Sequence, residues 1–185
     1  MKTLTFCLFL LGFTFSACVD LKKDEYTQRI TKLETALSKI EHKLLFNKLG
    51  SLPELKRQTE AVELRIKNYL VLDTIDLITG KKIQAYKIMI KNWTPIWKQF
   101  SQLKDGIKEE SRTLKNLRKD IEAGVGDRAS YEQYLLFEKN KVTQLDVLLQ
   151  DYLRLKKETL QTYQSLHKDL NLFSLELLRK HNLRQ

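Results

Sequence analysis

An all-α fold is predicted: an elongated antiparallel helical hairpin in a coiled-coil-like bundle, with a shorter N-terminal helix pair. Three observations carry this. Apolar residues recur in alternating steps of three and four along most of the chain, which is the seam of an amphipathic helix packed on other helices. Six Gly and two Pro in 185 residues are too few for a turn-rich β-sandwich or barrel. One Gly-rich loop, at 123–129, divides two stretches of nearly equal length. An apolar share of 42% against 30% charged residues supplies a modest core and argues against a disordered chain.

In the segment 21–49, Tyr26, Ile30, Leu33, Leu37, Ile40 and Leu44 mark the first seam, and Gly50 is its stop. Ser51-Leu52-Pro53-Glu54 has the form of a capping box with Pro in the first turn, opening a second helix over 52–69. Leu55, Val62, Ile66 and Tyr69 carry its seam. Over 70–80 the pattern mixes two periods, and the reading favoured is continuous helix with a break near Asp73. The third seam is Ile83, Tyr86, Ile90, Trp93, Trp97 and Phe100. Pro95 interrupts it and should kink the helix or restart it with Thr94 as cap. Ile107, Leu114, Leu117 and Ile121 continue to the loop. Beyond it, Ser130 and Gln133 offer another capping box, and 131–182 contains neither Gly nor Pro. Val142, Leu145, Leu149, Tyr152, Tyr163, Leu166, Leu170, Phe173 and Leu177 keep the spacing. The stretches 75–123 and 131–182 hold 49 and 52 residues, so the expected hairpin has arms of about 75 Å at 1.5 Å per residue.

The N-terminus sets the expected compartment. Lys2 is followed by an apolar run over 4–15, whose helical length of about 18 Å is short of a hydrocarbon core of roughly 30 Å. It reads as the core of a signal peptide. The run ends in Phe15-Ser16-Ala17-Cys18, which resembles the lipobox of bacterial lipoproteins, with Phe15 standing where Leu is commonest in that family. The resemblance implies cleavage before Cys18, a diacylglycerol thioether on its sulfur and an acylated new N-terminus. It covers the first 18 residues alone, and the remainder has the general form of small helical envelope lipoproteins. The implied organisation is a signal peptide at 1–17, a lipidated tether at 18–25, one helical domain at 26–182 and a tail at 183–185. Cleavage would leave 168 residues and a charge of +9, and would remove Cys7. With Cys18 acylated, no thiol is left for a disulfide or a metal. The implied place is the bacterial cell envelope, on the periplasmic or the outer side of the outer membrane. Within the tether, Lys22-Lys23-Asp24-Glu25 is similar to the acidic export signals of Bacteroidetes surface lipoproteins, although a solvated spacer needs no more than this composition.

Catalytic chemistry leaves no signature. A di-iron bundle needs Glu-x-x-His, but Lys39, Gln164 and Leu178 precede the three histidines at that distance. His42, His167 and His181 are read as surface residues, and no metal is expected. The Walker spacing before Lys81 would put Gly where Ile75 stands. Gly124-x-Gly126-x-x-Ala129 follows a helix rather than a strand, so it reads as a helix end and turn, not a dinucleotide cradle. There is no Gly-x-Ser-x-Gly elbow. The chain is read as non-enzymatic and free of cofactors.

Two features remain as candidate sites. The segment 77–104 carries Lys81, Lys82, Lys87, Lys91, Lys98 and Lys104 and no acidic residue. At about 100° per residue, Lys87, Lys91 and Lys98 share one face within roughly 40°. That face suits an anionic envelope polymer or lipid, while a solvated Lys face over an aromatic core is the plainer reading. Asp73-Thr74-Ile75 resembles the O-glycosylation sites of Bacteroidetes, which would make Thr74 the acceptor. The Asn92-Trp93-Thr94 sequon is followed by Pro95, which argues against its use. The expected partners are a membrane through the N-terminal lipid and either another protein or a second copy of the chain paired through leftover apolar stripes. Nucleic acid is not expected, because export carries the chain away from it.

Overall fold

The computed structural model describes residues 17–71 and 75–183, with side chains from Lys22 onward. Every regular element among the described residues is a helix, and they pack as an all-α bundle. They are α1 (Ala17–Phe46), α2 (Leu52–Tyr69), α3 (Leu77–Lys91), α4 (Trp93–Ala123) and α5 (Tyr131–Asn182), with a 3-10 turn at Arg128–Ser130 before α5. The span of α5 is the predicted one, because nothing in its 52 residues breaks a helix. Helix α1 already includes 18–25, so the stretch expected as a tether has helical backbone. Thr74 lies outside the described residues.

Helix does not continue across 70–80. Leu70 leaves α2 in an extended conformation, with φ −82° and ψ 125°. The next helix starts only after Asp76, whose carboxylate accepts the Ile78 and Thr79 N–H groups at 2.8 and 2.9 Å. An Asp side chain that satisfies two open helix donors makes a new start cheaper than continuation. The arm expected over 75–123 is likewise two helices, parted at Asn92. Pro95 falls in the first turn of α4, where a missing N–H is harmless, and Ile96 N–H already closes on the Asn92 carbonyl at 3.1 Å. The restart therefore comes two residues before the expected Thr94. Neither capping box forms as predicted. Ser51 makes no side-chain cap bond, and Glu54 instead accepts from Arg57 and Gln58. The Ser130 hydroxyl donates to Asp127, which caps the 3-10 turn.

Packing divides the chain into two units, 1–42 with 105–146 and 43–104 with 147–185. In the first, Ile30 of α1, Leu117 and Ile121 of α4, and Tyr131 and Leu135 of α5 form the core, with Tyr26 packed on it. Arg118 holds α4 to α1 through Glu34 at 2.6 Å and Thr31 at 2.9 Å. The loop ahead of α5 needs positive φ at Gly124 and Gly126, +65° and +88°, which glycine adopts without a Cβ penalty. The Tyr131 hydroxyl closes this loop on the carbonyls of Asp120 and Val125.

In the second unit, Val62 and Ile66 of α2, Ile83, Tyr86 and Met89 of α3, and Leu170 of α5 form the core. Beside them, Trp93 is fully buried and its indole N–H donates to Thr59 at 3.0 Å. Thr59 in turn donates to the Lys56 carbonyl, so the hydroxyl is used in both directions.

Candidate functional site

Lys87, Lys91 and Lys98 all point to solvent from α3 and α4. None has an ion-pair partner among the described residues, whereas Lys82 on the same segment meets Asp169 at 3.1 Å. The layer beneath them is Ile83, Tyr86, Met89, Trp93 and Ile96. Met89 and Ile96 thus take the buried places that the sequence pattern assigned to Ile90 and Trp97. Ile90 and Phe100 are half-buried, and Trp97 is 36% exposed.

This displaced Trp97 lines a groove of about 480 Å³ with Pro53, Lys56, Arg57, Glu60 and Thr94. Lys56 is paired with Glu60 at 3.1 Å and Arg57 with Glu54 at 2.8 Å, so its cations are largely engaged. In the other unit, a larger groove of about 920 Å³ lies between the start of α1 and the Gly-rich loop, lined among others by Lys22, Lys23, Tyr26, Ile121, Arg128 and Tyr131. Cys18 falls in the first turn of that helix.

Two buried polar clusters were not foreseen. In the first unit Glu110 and Glu138 are 2% and 6% exposed, facing Lys141 at 3.8 and 3.5 Å. With both carboxylates charged, Glu110 Oε1 and Glu138 Oε2 have no hydrogen-bond partner. A proton on Glu110 turns that repulsion into an O–H···O bond. Burial, then the hydrogen bond with Glu138 and its charge, push the Glu110 carboxyl up to about 8, against the opposing pull of Lys141. The signal was present in the pattern. Glu110 stands in register between Ile107 and Leu114, and Glu138 between Leu135 and Val142, each a charged residue at a seam position.

In the second unit His167 is half-buried, not a surface residue. Tyr86 Oη lies 2.6 Å from its Nδ1, and the Tyr163 ring stacks on it at 4.4 Å. Burial, with Arg65 nearby, holds the imidazole below its ordinary value, and burial raises Tyr86 well above that of a free phenol. A neutral imidazole accepting from Tyr86 fits both directions. Arg65 donates to Asn171 at 2.6 Å and Ser174 at 3.0 Å, and Tyr163 to Gln58 at 2.8 Å. These bonds join α2 to α5, and none of these residues lines either groove. The network therefore acts as a fastening. Among the described residues no group of three or more His, Cys, Asp and Glu side chains could hold a metal ion.

The fold and these surfaces define a helical bundle with unpaired exposed lysines and two open grooves. No protein-family model, curated protein or solved structure matches the chain.

Proposed function

We propose that the chain is a lipid-anchored, non-enzymatic helical protein of the bacterial envelope that acts by binding or scaffolding. The observation that carries this is the order of the first 18 residues: Lys2, an apolar run too short to span a bilayer, then Phe15-Ser16-Ala17-Cys18. No helix among the described residues is long and apolar enough to cross a membrane; Cys18 would supply the covalent anchor. Two or more acyl chains give stable anchoring where one gives marginal, reversible binding. The outer membrane is the proposed location, with the helices on its periplasmic or outer side. Radiolabelled palmitate should enter the wild-type protein and not Cys18→Ala; label persisting in the variant would remove the anchor from this site.

A second reading is favoured by Lys87 and Lys91 on α3 and Lys98 on α4, three exposed cations with no ion-pair partner among the described residues; the break at Asn92 means that they do not share one continuous helical face as the sequence spacing implied. Their occupant would be an anionic envelope polymer or lipid headgroup. Retention on an anionic matrix should be lost when all three are exchanged for Gln, with helix content unchanged, and should weaken with salt as the Debye length falls below about 8 Å. Equal retention of the triple variant counts against this reading.

A further inference from the structure

Three helix ends converge at one place in the second unit. The Tyr69 ring at the end of α2 lies 4.9 Å from His181 near the end of α5. Leu70 and Ile75, which flank the turn into α3, pack on the core that includes Leu170. Around this meeting point large aliphatic side chains face water: Val71 is 53% exposed, Leu77 74%, Ile78 70% and Leu183 78%. Leu77 and Ile78 open α3, where their neighbours in the first turn are Thr79 and Gly80. Side chains so exposed at element ends project outward and do not wall a groove.

Among the described residues, the charges around these side chains are mostly positive. Exposed Lys67 ends α2, Lys81 follows the first turn of α3, and Arg179 and Lys180 lie in the last turn of α5. Of the acids in the same region, Asp76 accepts from the N–H groups of Ile78 and Thr79 and from the Thr79 hydroxyl, contacts that favour its ionised form and leave its negative charge in place. Asp169 is paired with Lys82, and Glu176 is exposed. Protruding aliphatic residues ringed by Lys and Arg match a bilayer surface, in which the apolar tips enter the acyl boundary and the cations meet anionic headgroups. A flat protein interface would instead be built on aromatic anchors at its centre.

We infer that the end of the second unit formed by Val71, Leu77, Ile78 and Leu183 docks on an anionic lipid bilayer. This contact is independent of acylation and of Lys87, Lys91 and Lys98. The test uses residues 18–185 with Cys18→Ser, so that no acyl chain is attached and a failure leaves the Cys18 reading untouched. This protein should co-sediment with vesicles containing about one third phosphatidylglycerol, and much less with pure phosphatidylcholine. Binding should drop at about 0.5 M salt, where charges are screened beyond about 4 Å. Leu77→Ser with Ile78→Ser should weaken it about tenfold or more, while Leu136→Ser, an exposed apolar residue of the other unit, should not. Both double and control variants should keep their helical circular dichroism, since the exchanged side chains are exposed. The inference is overturned by absent binding, by equal binding to uncharged vesicles, or by a double variant that binds like its parent. It is also overturned if the Leu77 and Ile78 exchanges abolish self-association and leave vesicle binding intact, which would assign this end to a second copy of the chain.

Discussion

Exchange of Glu110 for Gln should stabilise the protein at neutral pH, and by an amount that depends on pH in a defined way. Gln has the shape of a protonated Glu, and its amide can donate toward Glu138 as the protonated carboxyl does. In the fold the Glu110 carboxyl is raised to about 8 by burial and by Glu138, whereas in the unfolded chain it titrates near its ordinary value of about 4.3–4.5. A carboxyl raised on folding contributes its full share below the unfolded value and loses it as pH rises toward the folded one. At 1.36 kcal/mol per unit, ionising this group in the unfolded chain but not in the folded one removes about 3 kcal/mol by pH 7. Gln is spared that loss. The stability difference, variant minus wild type, should be near zero at pH 4.5 and grow to about 3 kcal/mol at pH 7. Between pH 7 and 8 it should begin to level off. For a chain of this size that corresponds to roughly 6–12 °C in Tm. Urea unfolding followed by circular dichroism at matched pH values measures it, and taking the difference cancels the titrating groups that do not interact with Glu110. A difference that stays flat from pH 4.5 to 8, or a Gln variant that is less stable at pH 7, would falsify the shared-proton account.

Two further outcomes test the second unit. Thr59→Val keeps the shape of the side chain but leaves the buried Trp93 indole N–H without its acceptor; the expected loss is about 1–3 kcal/mol in urea unfolding, and a neutral variant would mean that another acceptor serves. His167 should titrate below its ordinary value of about 6.5 by NMR. Its contribution to stability is then present above that pH and falls as acid protonates the unfolded chain first. Tyr86→Phe should remove the bond between the two side chains without reversing the direction, and a midpoint at or above the ordinary value would contradict the buried, neutral imidazole.

Helix extents were legible because a seam of three and four, once started, needs a side chain or a Gly to stop it, and α2 and α5 have none inside them. The finer register was less so. Met89 and Ile90, or Ile96 and Trp97, are neighbours of similar hydropathy, and spacing alone accepts either. The break at Asn92 then turns the buried face toward Met89 and Ile96, which leaves Trp97 at the surface. The interruption at 70–76 depends on a local competition: Asp76 offers its carboxylate to two backbone donors, and an apolar pattern carries no trace of that bond. The buried glutamates and His167 illustrate the opposite case. Their seam positions place them inside; for His167 the polar residue type outweighs position and points to the surface, and the two glutamates form no motif that spacing would single out. Lys87, Lys91 and Lys98 are exposed, as their charge alone requires, but the common face drawn from their spacing assumes a helix unbroken at Asn92. What occupies them is a matter of chemistry outside the chain.

The turn from α1 to α2 is held at its carbonyls. The Tyr152 hydroxyl and the Lys156 ammonium both donate to the Asn47 carbonyl, at 2.6 and 2.8 Å, and Lys156 also reaches that of Lys48 at 2.8 Å. Burial lowers the Lys156 ammonium from its ordinary value, yet it is the cation that satisfies the Asn47 and Lys48 carbonyls just past the end of α1. A protease must draw some residues on either side of the scissile bond into an extended strand. The peptide bond after Lys48, which looks like an accessible tryptic site in a loop, is therefore stitched to the neighbouring helix and should resist limited trypsin digestion until that helix lets go.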